Sequence, residues 1–212
     1  MNMEKKFELT DNFIINAFGV KLFQIKCTKS FKYAKEGDLG GYVEKDENLD
    51  QESDAWVSGN AEVSGDAWVS GDARVSGDAR VSGDAWVSGY ARVYGYAEVA
   101  GNARVAGNAW VAGNARVAGN AWVSGNARVY GYAEIDNNNK HCGFDCFGSA
   151  NRHTHAYLTK ENKVEITCGC FRGSIEEFEK RVEETHSGTI YEKQYKAIID
   201  VIKIKFGLTD LI

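Results

Sequence analysis

The sequence predicts a mainly β protein. Its middle reads as a parallel β-helix of three hexads per 18-residue coil (residues 43–136), flanked by an N-terminal β cap (1–42) and a small C-terminal α+β domain (137–212). Three observations carry this expectation. Alanine recurs every sixth residue, fourteen times from Ala55 to Ala133, and a Val or Ile follows two residues after each, from Val57 to Ile135, with no break in register. The residues that follow each Val are typically Ser-Gly-Asn or Ser-Gly-Asp. Finally, the variable residue between Ala and Val sorts by chemistry when sampled every 18 residues.

In chain order, residues Phe7 to Phe31 read as β structure, with Phe13-Ile14-Ile15, a turn near Phe18-Gly19, and Val20 to Cys27 in partial alternation. The stretch Gly37-Asp38-Leu39-Gly40-Gly41-Tyr42-Val43-Glu44 is a glycine-rich lead-in to the array. Counting back in sixes from Ala55 reaches Leu49 and Val43, which places a degenerate first coil there. An open β-helix end leaves strand edges unpaired, so the N-terminal segment is expected to act as a cap.

Within the array, Ala-x-Val is a period-two pattern, two residues inward and one outward. Gly accepts positive φ and Asn or Asp tolerates it, so each hexad makes one short strand and one corner. Three hexads close a triangular coil. The outward columns test that closure: Glu62, Arg80, Glu98, Arg116 and Glu134 alternate in sign, as stacked strands favour. A second column is Trp56, Arg74, Arg92, Trp110, Arg128, and a third is Trp68, Trp86, Arg104, Trp122. In both, guanidinium planes are expected to lie on indole faces. With only Ala and Val inside, the prism is filled, and its surface must carry the function. The absence of Pro fits a sheet that needs every backbone N–H.

Past Asp136 the composition shifts. Asn137 to Lys140 reads as a polar linker, and Ala156–Thr159 and Lys163–Cys168 read as a hairpin around Lys160-Glu161-Asn162. Ser174 and Glu177 form a capping box for a helix to about Glu184. Tyr195, Ile198, Ile199, Ile202 and Phe206 make one apolar helical stripe, completing a ββαα expectation.

The formal charge of −5 is mild and no segment is basic enough for a nucleic-acid groove. No apolar run suits a signal peptide or a membrane span. Five unevenly spaced cysteines do not resemble a secreted disulfide framework, so a reducing cytoplasm is expected.

Lys35-Glu36-Gly37-Asp38-Leu39-Gly40-Gly41-Tyr42-Val43-Glu44, then Asn48-Leu49 and the Ala-x-Val-x-Gly-Asn array, resemble a group of phage- and prophage-encoded hexapeptide-repeat proteins. The C-terminal phrase Thr167 to Phe178, with Gly148-Ser149 and Arg152, is similar to a tail domain carried by some of them. The resemblance implies a left-handed β-helix, transferase-like in fold, and by analogy a homotrimer. In hexapeptide acyltransferases a histidine lies on or beside a coil and a loop is extruded from the repeat. Here no His precedes His141 and the array has no insertion, so a non-catalytic scaffold is expected, with no cofactor.

Functional candidates follow. Trp56, Trp68, Trp86, Trp110 and Trp122, with Arg74, Arg92, Arg104 and Arg128, have the composition of interface hot spots. Tyr94, Tyr96, Tyr130 and Tyr132 replace corner residues along one edge and join that candidate oligomer or protein-partner interface. By the phage context, the partner is expected to be a component of host defence that the protein inhibits or sequesters. Ser149, Arg152, Arg172 and Ser174 form a candidate site for a nucleotide-like anion. Cys142, Cys146, Cys168 and Cys170 are a weaker zinc alternative, because neither spacing is CxxC. Cys168 and Cys170 are expected on one face of a strand.

Overall fold

The computed structural model describes residues 5–208. It opens with an antiparallel hairpin, β1 (Phe7–Ile15) and β2 (Lys21–Cys27), and β2 pairs antiparallel with β3 (Leu39–Val43). Fourteen two-residue strands follow, β4 to β17, from Trp56–Val57 to Glu134–Ile135. Strands 18 residues apart pair in parallel along the array, as in Arg92 with Trp110 and Glu98 with Arg116. The result is a three-faced coil of about five turns. One face continues the cap sheet, β1-β2-β3-β5-β8-β11-β14-β17, while the other two carry five and four strands.

The corners form because each repeat glycine lies at positive φ, between +58° and +73°. The inward Ala and Val side chains are buried throughout and make one continuous core, closed by Phe7 and Ile25 at one end and by Tyr157 at the other. Each buried Val contributes about 2 kcal/mol of apolar burial.

The first coil departs from the expected count. Val43 pairs with Val63, and Leu49 bridges to Val69, each twenty residues on. These residues therefore occupy the Val column, and Gly41 stands where the array has Ala. Two extra residues between Leu49 and Val57 account for the offset. Lys6 covers this wider corner: its Nζ donates to the carbonyls of Asp50, Ser53 and Ala55 at 2.5, 2.7 and 2.8 Å. Buried Asn48 closes the preceding turn, accepting from the backbone of Glu44 and Lys45 and donating to the carbonyls of Gly65 and Ala67.

The C-terminal region holds more strand than the expected ββαα. β18 (His141–Phe147), β19 (Arg152–Leu158), β20 (Val164–Cys168) and β21 (Phe171–Gly173) form an antiparallel sheet in chain order, followed by α1 (Ile175–His186) and α2 (Ile190–Lys205). The predicted hairpin is β19–β20, and the predicted stripe of α2 packs with Phe178, Val182 and Ile166 into a second core. Among the described residues no helix is long and apolar enough to cross a membrane.

This sheet sits on the last coil. Lys160 N donates to Tyr132 O, the Thr167 hydroxyl donates to Arg128 O at 3.0 Å, and Arg128 Nη1 donates to Gly169 O at 3.0 Å. Tyr130 N donates to the Tyr157 hydroxyl, and Trp122 N to Asn138 Oδ1.

Candidate functional site

The three outward columns become three chemically different faces. On the first, the carboxylates and guanidiniums interleave: Arg80 reaches Glu98 at 3.3 Å, and Arg116 lies 3.9 Å from Glu98 and 3.8 Å from Glu134. Tyr96 and Tyr132 stand exposed along its edge, and Lys160 Nζ lies over the Tyr132 ring at 4.4 Å. The alternation in the sequence becomes a charge ladder that neutralises itself.

The second face carries Trp56, Arg74, Arg92, Trp110 and Arg128. Arg92 and Arg128 enclose Trp110 from the rungs below and above, their guanidinium carbons 4.8 and 5.1 Å from the ring centre. Tyr94 meets Trp110 edge-on at 6.3 Å. The hydroxyl of Tyr130 is pushed up to about 12, first by burial and then by its neighbour Tyr94. Tyr94 and Tyr130 are thus brought together two turns apart, as their spacing predicts.

Trp56 differs from the expectation of a free aromatic. It is outward on its rung but only 5% exposed, because the cap segment after β2 folds across it and sets Phe31 edge-on to its ring at 5.4 Å. The same segment lays Tyr33 under the Arg74 guanidinium at 4.9 Å and ties Lys32 to Asp72 at 2.5 Å. Between this segment and Trp110 lies a groove of about 580 Å³, lined in part by Tyr33, Trp56, Arg74, Arg92, Tyr94 and Trp110. Sequence reasoning missed Phe31 and Tyr33. The only local signal is the aromatic–basic run Phe31-Lys32-Tyr33 ahead of the glycine-rich lead-in.

The third face is bare. Trp68 meets Trp86 edge-on at 5.5 Å, Arg104 lies over Trp86 at 4.9 Å, and Trp122 stands at the upper end. The three indoles are 38%, 43% and 55% exposed.

The C-terminal candidates are placed as follows. Ser149 is exposed in the β18–β19 turn, and Arg152 lies beside Cys168 and Cys170. Arg172 is held in a bidentate pair by Glu165, its Nε at 2.6 Å and Nη2 at 3.1 Å from the two carboxylate oxygens. Ser174 is the cap of α1, accepting from Glu177 N while Glu177 Oε2 accepts from Ser174 N. Two of the four residues are therefore committed to internal partners.

Cys168 and Cys170 do not share a face: Cys168 ends β20 inside the second core, and Cys170 is exposed past the turn at Gly169. Cys142 is half-buried on β18 and Cys146 exposed, and among the described residues no three His, Cys, Asp or Glu side chains are arranged to hold a metal ion. A histidine cluster occupies the seam instead. His155 Nε2 shares a hydrogen bond with His141 Nδ1 at 3.1 Å, its Nδ1 faces Arg128 O at 3.4 Å, and His153 Nδ1 pairs with Asp145 at 2.8 Å.

Comparison with known proteins adds one finding. A family model described as the YdcK beta solenoid repeat matches residues 73–89, just under one coil of the array. No curated protein matches the chain. The match agrees with the observed coil and concerns the repeat alone.

Proposed function

We propose that the protein is a non-catalytic β-helix scaffold that holds a protein surface on its third face, through Trp68, Trp86, Arg104 and Trp122. One observation carries this reading: three indoles stand exposed on a sheet that gains no strand from the cap or the C-terminal sheet, whereas on the second face, also without an added strand, Phe31 and Tyr33 of the cap segment pack on Trp56 and Arg74. Indole and guanidinium groups supply most of the energy of protein interfaces, and a flat face of stacked rungs presents them at fixed spacing.

The occupant is a second copy of the chain, a trimer by analogy with hexapeptide-repeat proteins, or a distinct protein. The resemblance of the sequence to phage-type repeat proteins supports the latter as a component of host defence, sequestered in the host cytoplasm. Acyl transfer draws no support from the array, which carries no histidine to serve as general base.

The test is native mass spectrometry of the full chain beside a Trp86→Ala/Trp122→Ala variant, both purified from the expressing cells. The expected result is a multimer, or a complex with a partner, in the first sample and a free monomer in the second, with unchanged circular dichroism. Identical masses for the two would refute the assignment of this face.

A further inference from the structure

The second face carries an electrostatic imbalance that the first does not. On the first, arginines alternate with glutamates. On the second, Arg74 and Arg92 are register partners on successive rungs, and the residues below and above them in the column are Trp56 and Trp110. Among the described residues neither guanidinium makes an ion pair. Like charges directly opposed across parallel strands oppose the pairing, so this arrangement persists at a cost that a bound anion would remove.

The two groups are also held in place. Arg74 stacks on Tyr33 at 4.9 Å and Arg92 on Trp110 at 4.8 Å, which fixes one face of each guanidinium and leaves N–H edges to donate. Ser58 and Ser76 line the same groove from one corner on successive coils, adding two hydroxyls. Its volume, about 580 Å³, suits a small molecule better than a protein surface. The one carboxylate in the lining, Asp38, accepts from Lys35 N at 2.8 Å. Arg128, the third cation of the column, is turned to Gly169 O and takes no part.

We propose that this groove binds a nucleoside phosphate. The phosphate bridges Arg74 and Arg92, the geometry for which guanidinium forks are suited. The base lies against the ring of Tyr94, which lines the groove beside the guanidinium-covered Trp110, since every base presents a π-face to an aromatic side chain. The site is separate from the indoles of the third face and stands whether or not that face docks a protein.

Isothermal titration calorimetry of the full chain at low salt tests it, with adenosine, guanosine and uridine 5′-monophosphates as probes and inorganic phosphate and adenosine as controls. At least one nucleotide is expected to bind, with Arg74→Gln and Arg92→Gln each weakening it by about tenfold, the loss of one charge-assisted contact. The Trp86→Ala/Trp122→Ala variant is expected to bind it unchanged, so failure of the docking reading is told apart from failure of this one. No heat with any nucleotide, or affinity in both arginine variants equal to that of the unsubstituted protein, would overturn the proposal. Inorganic phosphate binding as tightly as the nucleotides would overturn its nucleoside part.

Discussion

At the seam between the last coil and the C-terminal sheet, the buried imidazole of His155 packs against the half-buried imidazole of His141. Burial, aided by His141 and His153, pushes His155 down to about 3, and burial with nearby Lys205 pushes His141 down to about 4. Both lie below the ordinary imidazole value of about 6.5, so the folded protein keeps them neutral while the unfolded chain takes up protons as the pH falls. The stability they allow is fully present above pH 6.5 and is lost on acidification towards pH 4, with a limiting slope of about 1.4 kcal/mol per pH unit for each histidine. Asp66, Asp136, Glu176 and Glu192 are held below their usual carboxyl values by lysine, serine or backbone partners, so their stabilisation is intact over most of this window and is lost from the ordinary carboxyl range of about 4 downward. Thermal melts from pH 7.5 to 4.5 are therefore expected to show Tm falling with acid, and His155→Phe to flatten that slope by about half, one of two titrating groups. A slope unchanged by the substitution would place the acid sensitivity elsewhere.

Among the elements, the rungs are the most constrained. Gly83 lies at φ +70°, and a Cβ there would stand 2.9 Å from Gly101 N, backbone that the rung hydrogen bond from Ser82 N to Val99 O holds in place. Gly19, in the β1–β2 turn, has a similar φ of +77° with open space around it. Alanine at Gly19 should cost about 1 kcal/mol for the left-handed backbone alone, and at Gly83 about 3 kcal/mol or more once the stack must spread. Equal losses in denaturant titrations would show that the rungs can part freely. These rungs were legible in the sequence because period six fixes strand, corner and column together, and the ion pairs of Arg80 and Arg116 and the stacking at Trp110 follow from 18-residue sampling. What was not legible depends on distant contacts. Phe31 covers Trp56 through a segment with no periodicity of its own, and Leu49 sits in the Val column because two extra residues are accommodated by Lys6. β18 lacks strict alternation from His141 to Phe147, and its strand character comes from pairing with β19. Arg172 and Ser174 resemble an anion site in one dimension, and Glu165 and the helix cap claim them in three.

For the whole molecule, the decisive feature is that both ends of the coil are closed. A parallel β-helix offers at each end a full turn of unpaired N–H and C=O groups and a core cross-section, a template for association with another chain. The upper end is closed by contacts on all three faces: Asn138 receives Trp122 N, Tyr157, Thr167 and Gly169 meet Arg128 and Tyr130, and Lys160 N donates to Tyr132 O. Tyr157 belongs to the core of the coil while its neighbour Ala156 belongs to the second core, so β19 is shared between the two bodies and cannot be removed without uncovering Val129 and Ile135. A chain ending at Asp136 is therefore expected to retain its β spectrum, because each inner rung contacts only its neighbours. It should nevertheless sediment as larger species than the full-length protein in analytical ultracentrifugation, growing with concentration as exposed ends pair. The three face columns remain intact in this truncation, so association mediated by the indoles of the third face would be the same in both proteins and cancel in the comparison. A truncated chain with the full-length oligomeric state and the same Tm would mean that the last coil needs no cover, and the C-terminal sheet would then have to be explained by something other than capping.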